Sequence, residues 1–213
     1  MLIRLFALLW IILCSVAANA ANGGLPELTV EYAADRLIET EDGAFTGRVF
    51  VAGEKHRSEI NMGGMESVTI LRLDRRLGWM LMPAQRMYRE LDLAEARRHA
   101  GTGPQEDVQI DPVGSETIEG FETTKYRLVL KDGSAGGFMW VTAEGVPVKM
   151  DLLQKEGRRK ARVTITLRNL EIGPQDPKLF ELPEGYGAMP GGNLFGNGAL
   201  RGLMPGVPGL RRN

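Results

Sequence analysis

A strict alternation of apolar and polar residues constrains the fold of this chain more than any other feature. In RVTITLRNLEI (162–172), Val163, Ile165 and Leu167 alternate with charged residues and threonines. Because successive side chains of a β-strand point to opposite faces of a sheet, this period of two predicts a strand with one buried face. Similar runs follow one another along the chain, with short polar turns between them. The sequence therefore predicts a mainly β, antiparallel meander.

One segment breaks the alternation and predicts a short helix. Residues 91–100 carry Asp92 as a candidate N-cap and Glu95 three residues later, as in a capping box, and they end before Gly101. The next segment, 101–114, is rich in Gly, Pro and acidic residues. It predicts a loop that is long enough to cover part of the sheet.

The first 20 residues have the organisation of a secretory signal peptide. Arg4 supplies a positive n-region, residues 5–13 form an apolar run, and Ala18-Asn19-Ala20 matches an A-x-A cleavage site. The run is shorter than the roughly 20 apolar residues that a membrane span requires. We therefore expect cleavage near Ala20 and export to the periplasm. Lipoprotein anchoring at Cys14 stays open as the alternative, although Leu13 is larger than the residue that usually precedes a lipidated cysteine.

Composition and charge exclude several classes of function. Removal of residues 1–20 takes away Arg4 and the only cysteine, which leaves 25 basic residues against 27 acidic ones and no thiol. This near balance lacks the basic excess of a nucleic-acid-binding protein, so no nucleic acid partner is predicted. No other segment is apolar enough to span a membrane. Without disulfides, an exported domain has to be stabilised by its hydrophobic core.

The composition changes near the C-terminus. Residues 188–213 are dense in Gly and Pro, with Leu, Met and Phe scattered in no period. This composition predicts a solvated, disordered tail, and transient docking of its apolar residues is the alternative. The sequence thus divides into a signal peptide (1–20), one β domain (21–187) and this tail.

A search for chemistry finds no arrangement that predicts catalysis. Neither histidine, His56 or His99, has a neighbour at metal-ligand spacing. No serine lies in a nucleophile elbow, and the glycine pairs lie between strands rather than before a helix. The sequence predicts no catalytic residue, no metal and no cofactor. A hydrolase built from dispersed carboxylates is kept as a third hypothesis.

The remaining signal is apolar surface. Residues 79–82, WMLM, are apolar on both faces of a predicted strand, which turns at Pro83-Ala84-Gln85 into a second arm. Methionine is enriched on surfaces that fit varied apolar ligands, but it also fills irregular cores, and both interpretations stay open. The residues predicted to line a cavity are Tyr32, Phe45, Val49, Ile70, Trp79, Met80, Leu81, Met82, Tyr88, Trp140 and Met150.

Several segments, in their order along the chain, carry a resemblance to a known family: YAADRLIET, GRVFVAGEKHRSEI, SVTILRLD, WMLMPAQRMYREL, FMWVTAEGVPVKM and LFELPEGY. The most specific are W-V-T-x-x-G-x-P at 140–147 and F-x-L-P-x-G-Y at 180–186. Over about 28–190 the chain resembles the LolA-like group of periplasmic lipoprotein carriers, their outer-membrane receptor and envelope-stress sensors. It is most similar to an uncharacterised exported family within that group. The resemblance implies an incomplete, strongly curved antiparallel β-barrel (a half-barrel), in which one short helix and loops cover an apolar concavity.

The resemblance also implies binding rather than catalysis. We expect a periplasmic, non-enzymatic protein that holds a lipid, a lipoprotein acyl chain or another apolar ligand. The chain departs from the carriers because it begins almost directly with a strand, where a carrier has an amphipathic helix. The alternative is an interaction or sensor module with a filled sheet, which would bind another envelope protein through an edge strand or the tail.

Overall fold

The computed structural model describes residues 24–93, 108–131, 133–156 and 159–189. Within them the chain forms one sheet of twelve strands in the order β12-β6-β5-β4-β3-β2-β1-β11-β10-β9-β8-β7. The strands are β1 (Tyr32–Thr40), β2 (Gly43–Ala52), β3 (Lys55–Met62), β4 (Met65–Arg72), β5 (Leu77–Met82), β6 (Met87–Asp92), β7 (Val108–Ile118), β8 (Phe121–Leu130), β9 (Ala135–Val141), β10 (Pro147–Glu156), β11 (Arg159–Ile172) and β12 (Gly187–Ala188).

The sheet is antiparallel throughout, except that the two-residue β12 runs parallel to β6. The edge strands β7 and β12 do not pair with each other, so the sheet does not close. The prediction of a mainly β, incomplete antiparallel barrel is therefore confirmed. The predicted signal peptide, with Cys14, and the predicted tail beyond Met189 lie outside the described residues.

Two meanders of local hairpins make up the sheet, and one long-range pairing joins them. β1 to β6 follow one another in space as in sequence, and so do β7 to β11. β1 then pairs with β11, which places Ile38 opposite Ile165 and Thr40 opposite Val163. The centre of the sheet is therefore built from the first long strand and the last one.

The predicted hairpin in WMLMPAQRMYREL is confirmed. β5 and β6 are joined by a 3-10 helical turn at Pro83–Gln85, and Arg86 follows it in a left-handed conformation with φ of 50°. The backbone N–H of Arg86 donates a hydrogen bond of 3.1 Å to the carbonyl of Pro83. Proline suits the start of such a turn, because its φ is already helical and it has no N–H to leave unpaired.

Two expectations about the covering segments need correction. The predicted helix over 91–100 is wrong at its start, because Leu91 and Asp92 continue β6 opposite Gly78 and Leu77. The strand ends at Asp92 and Leu93 is already helical, so Asp92 does stand at the junction where the sequence predicts a cap. The predicted loop over 101–114 is also wrong where it is described, because residues 108–114 belong to β7 and pair with β8. Residues 94–107 lie outside the described residues.

The C-terminal segment packs against the β4–β6 end of the sheet. A 3-10 helical turn at Pro177–Phe180 is capped by Asp176, whose carboxylate accepts a hydrogen bond of 2.9 Å from the N–H of Lys178. Phe180 is only 1% exposed and belongs to a core cluster with Ile70, Trp79 and Leu81. The segment then reaches β6, where the N–H of Met189 donates to the carbonyl of Tyr88 at 2.8 Å. Two residues of the predicted tail, Ala188 and Met189, are thus held to the sheet.

Candidate ligand-binding face

One face of the sheet carries an unbroken row of apolar side chains across six strands. Strand register places Phe45, Ile38, Ile165, Met150, Met139 and Tyr126 opposite one another in turn, from β2 through β1, β11, β10 and β9 to β8. Residues directly opposite each other in paired strands project to the same face. We call the face with this row the front face. With strands about 4.8 Å apart, the row spans about 24 Å.

Further apolar residues flank the row, and some of them keep part of their surface open. Cluster members such as Met139, Met150 and Ile165 are fully buried. The residues packed around them are only partly buried: Phe45, Ile60, Val108, Ile110 and Leu152. The front face therefore has a buried apolar centre and a partly open apolar margin.

The opposite face, which we call the back face, is charged over one part of the sheet and apolar over another. Over β1, β2, β10 and β11 it carries ion pairs at the solvent-accessible surface, such as Arg48 with Glu171 at 3.3 Å and Arg162 with Asp151 at 2.5 Å. Over β4 to β6 the back face is instead apolar, and the C-terminal segment around Phe180 covers it.

The predicted lining residues divide between the two faces. Register and strand alternation place one group on the front face: Tyr32, Phe45, Val49, Met80, Met82 and Met150. The other group lies on the back face: Ile70, Trp79, Leu81, Tyr88 and Trp140. The structure therefore does not bring all eleven candidates together around one site.

The two-sided apolarity of WMLM now has a structural explanation. Trp79 and Leu81 are buried on the back face, in the cluster that contains Phe180. Met80 and Met82 project to the front face and are half-buried. One side of β5 is thus covered by the C-terminal segment, and only the methionine side faces the candidate site.

A buried arginine lies beside the apolar row and was not singled out by the sequence. Arg36 occupies the next position on β1 before Ile38 on the front face, opposite Gly47 and Leu167, and it is 4% exposed. Its Nη2 donates a hydrogen bond to the hydroxyl of Ser58 on β3, whereas its Nε has no hydrogen-bond partner. Burial lowers the pKa of the Arg36 guanidinium to about 10, with Tyr32 opposing the shift, so the group is still cationic at neutral pH.

His56 is a second buried polar group on the same face. It lies two residues before Ser58 on β3, is 6% exposed, and its Nε2 has no hydrogen-bond partner. Burial lowers the pKa of the His56 imidazole to about 4, so the ring is neutral at pH 7. In β1 to β4, which the structure describes along their whole length, register places no Asp or Glu on the front face. The polar groups of this region are therefore basic or neutral.

Register places Trp140 on the back face, where polar and cationic groups contact it, but its buried side chain also belongs to an apolar core cluster with the predicted residues Tyr32 and Val49. Its indole N–H donates a hydrogen bond of 3.0 Å to Glu116, and the ammonium groups of Lys125 and Lys149 lie 4.8 Å and 4.9 Å from the ring centroid. Hydrogen bonds from Lys125 and then from Trp140 hold the pKa of the Glu116 carboxyl below its ordinary value. This arrangement anchors β7, β8 and β9 to one another, and Trp140 is buried within it.

A shallow cleft of about 540 Å³ also lies on the back face, between β1, β2, β3, β4 and β11. Asp35, Arg48, Glu59 and Arg168 contribute charges of both signs to it, and Arg48 already pairs with Asp35 at 3.6 Å. Within the described part of the chain, no group of three or more His, Cys, Asp or Glu side chains could hold a metal ion. None of the described helical segments has the length and apolarity needed to cross a membrane.

Comparison with solved structures defines the class of fold. A conserved protein from Thermus thermophilus is similar over 76% of this chain and 91% of its own, with 11% identity and a TM-score of 0.53. A chain of the MucA/MucB complex from Pseudomonas aeruginosa is similar over 81% of this chain and 60% of its own, with 16% identity and a TM-score of 0.50. MucB belongs to the LolA-like superfamily, so the resemblance seen in the sequence is confirmed at the level of the fold.

The family can also be stated. The chain belongs to the family described as a domain of unknown function (DUF4412), which matches residues 37–144. The match extends from β1 to the turn after β9 and includes Phe45, Ile60 and Met139 of the front face. No curated protein matches the chain in sequence at a significant level. The chain spans 54% and 60% of the length of the first two MucB-complex chains that it matches.

Proposed function

We propose that this protein is a periplasmic, non-enzymatic binding protein that holds a lipid, an acyl chain or another apolar ligand against its front face. The observation that carries the proposal is the apolar row across six strands, with a partly open margin, on a sheet that does not close. The organisation of residues 1–20 as a signal peptide supports export. Fold alone does not define function, and the proposal therefore rests on this face.

The size and chemistry of the row suit a long hydrocarbon chain. Most of the row is buried, so an extended chain would lie along its partly open margin, which Phe45, Ile60 and Leu152 help to form. Each methylene transferred from water contributes about 0.8 kcal/mol, so even a partly buried acyl chain would offset the entropy lost on binding. No catalytic group is required for this role.

The geometry narrows the set of lining residues. Phe45 and Met150 belong to the row, and Ile60, Ile110 and Leu152, which the sequence did not single out, lie at its margin. Four of the predicted residues are packed with the C-terminal segment instead: Ile70, Trp79, Leu81 and Tyr88. We therefore assign the ligand to the surface around Phe45 and Ile60 and assign the Trp79 side of β5 to the core.

Native mass spectrometry of protein purified without detergent, together with displacement of a fluorescent fatty acid, tests the proposal. We expect a co-purified or exchangeable apolar ligand. Ile60→Ala should weaken fatty-acid binding several-fold, because it removes apolar contact at the margin. Leu153→Ala is the matched control, since Leu153 lies on the back face of β10 and is 36% exposed. A clean apo mass with no displacement would overturn the proposal.

A second candidate function is the binding of an envelope protein along β7. This strand runs over eleven residues and, among the described residues, pairs with β8 alone, which makes it an edge to which a further strand could be added. A likeness to a chain of the MucA/MucB complex is compatible with such a role. A photo-crosslinker at Ser115 tests this role in cells. A discrete adduct that is absent when the crosslinker is placed at the back-face residue Leu153 would favour it over ligand carriage.

A further inference from the structure

The buried Arg36 has a charge that no carboxylate of the described residues balances. Its hydrogen bond goes to a neutral hydroxyl, that of Ser58, and its Nε has no partner. Two other arginines with little exposure are paired with carboxylates: Arg72 with Asp74 at 2.8 Å and Arg57 with Glu59 at 2.7 Å. A buried cation without an anionic partner is unfavourable unless something else supplies that partner.

The location of Arg36 relates the charge to the apolar row. On β1 it is the front-face neighbour of Ile38, which is part of the row. The positions opposite Arg36 are Gly47 on β2 and, beyond it, Ile60 on β3. Because Gly47 has no side chain, the Arg36 side chain can extend across β2 to Ser58. The guanidinium thus lies where the apolar margin formed by Ile60 meets the polar group of Ser58.

The polar side chains around Arg36 on the front face of β1 to β4 are basic or neutral. His56, on the same face of β3, has an unpartnered and buried Nε2. The front face of β1 to β4 contains an arginine, a histidine, hydroxyl groups and apolar side chains, and register places no carboxylate on it. Such a surface attracts an anion and gives a hydrocarbon a place to lie.

We propose that Arg36, supported by Ser58, binds the anionic head group of an acyl ligand whose chain lies along the partly open margin of the apolar row, at Phe45 and Ile60. This inference rests on the proposed function and adds the chemistry of the ligand: a hydrocarbon chain that ends in a carboxylate or a phosphate monoester. A guanidinium can donate two parallel, charge-assisted hydrogen bonds to the oxygens of either head group. A neutral alcohol has one oxygen and no charge, so it cannot form this pair. Ser58 fixes the position of Nη2, and the buried Nε is left without a partner among the protein's own groups.

Three probes of equal chain length test the inference on the full exported chain: dodecanoate, dodecyl phosphate and dodecanol. Binding is measured by calorimetry at neutral pH. We expect both anions to bind more tightly than the alcohol by about tenfold or more, the difference expected for charge-assisted hydrogen bonds. The stronger of the two anions identifies the head group as a carboxylate or a phosphate.

The variants separate a role in binding from a role in folding. Arg36→Gln should abolish the preference for the anions while dodecanol still binds, and the retained dodecanol binding shows that the variant is folded. Arg36→Lys should keep part of the preference, because it keeps the charge without the planar fork. Arg48→Gln is the matched control, since Arg48 is an exposed arginine on the back face of the neighbouring strand, paired with Asp35 and Glu171. It should leave all three affinities unchanged.

The two proposals fail in different ways. If the wild-type protein binds none of the three probes, ligand carriage is wrong and the inference about Arg36 falls with it. If dodecanol binds as tightly as the anions, or if Arg36→Gln keeps the preference, carriage stands and Arg36 is not the head-group site.

Discussion

The guanidinium of Arg72, at the end of β4, donates a hydrogen bond to the carboxylate of Glu181, which lies 109 residues further along the chain. The same guanidinium donates to both oxygens of Asp74, at 2.9 Å and 2.8 Å. Its side chain is only 5% exposed, although both carboxylates are partly in solvent. This contact attaches the segment around Phe180 to the sheet and thereby determines which side of β5 is covered.

We expect Arg72→Ala to lower the free energy of unfolding by about 1–3 kcal/mol, because it removes charge-assisted hydrogen bonds from a buried donor. Arg75→Ala is the matched control. Arg75 also contacts Glu181, but at 3.5 Å and with 55% of its side chain exposed, so its loss should change stability by less than about 1 kcal/mol. Urea unfolding monitored by tryptophan fluorescence measures both. Equal effects of the two substitutions would contradict the importance of Arg72.

Phe180 provides a second test of the same segment. Phe180→Ala should cost about 3–5 kcal/mol of unfolding free energy, the usual effect of removing a fully buried aromatic side chain. Fatty-acid binding at a temperature where the variant is folded should be unchanged, because Phe180 packs on the back face. Loss of binding in a folded Phe180→Ala protein would instead place the ligand against Trp79 and Leu81.

His56 predicts a specific pH dependence of stability. Burial lowers the pKa of the folded-state imidazole from 6.5 to about 4. Between these values the unfolded chain binds a proton that the folded protein does not, so stability falls as the pH drops from about 6.5 towards 4. The shift corresponds to roughly 3 kcal/mol. His56→Met should flatten the pH dependence in this interval, as measured by urea unfolding at pH values of about 7.5 and 4.5. An unchanged slope would show that burial does not lower the pKa of the His56 imidazole in the folded protein.

Gly47 and Gly137 should tolerate no side chain. A Cβ at Gly47 would lie 1.9 Å from the carbonyl oxygen of Glu59, and one at Gly137 would lie 2.1 Å from that of Asp151. Both obstacles are backbone atoms of a neighbouring strand, so Gly47→Ala and Gly137→Ala should each destabilise the protein by about 3 kcal/mol or more. Gly114→Ala, in β7, has open space around its Cβ and serves as the control. Thermal unfolding ranks the three variants, and a Gly47→Ala protein as stable as Gly114→Ala would contradict the close approach.

Features that depend on residues close together in the sequence could be predicted, and features that depend on residues far apart could not. The hairpin at Pro83-Ala84-Gln85 and the alternation of Val163, Ile165 and Leu167 are local signals, and the structure confirms both. The helix expected over 91–100 does not start at Leu91, because pairing with β5 extends β6 through Asp92; Leu93 is the first helical residue. The covered side of WMLM depends on Phe180, about a hundred residues away, and no local pattern contains that contact.

Arg36 was not singled out by the sequence analysis, although in this case the local alternation contains a signal. In YAADRLIET, period two places Arg36 between Ala34 and Ile38 on the apolar side of β1, opposite Asp35 and Glu39. Charged residues are rarely buried without a partner. One that occupies an apolar position of a regular alternation therefore indicates a function or a buried partner. Its hydrogen bond to Ser58, by contrast, depends on the register of three strands and is visible only in the fold.

The pairing of β1 with β11 has a consequence for how the chain acquires its structure. Each hairpin of the two meanders closes a short loop, whereas Ile38 meets Ile165 only after most of the chain has been assembled. Closing so long a loop is slow compared with forming local hairpins. The middle of the sheet, where the apolar row crosses from one meander to the other, is therefore expected to gain protection from hydrogen exchange last during refolding. Until then the two meanders would present their apolar surfaces separately, as transient sites for aggregation.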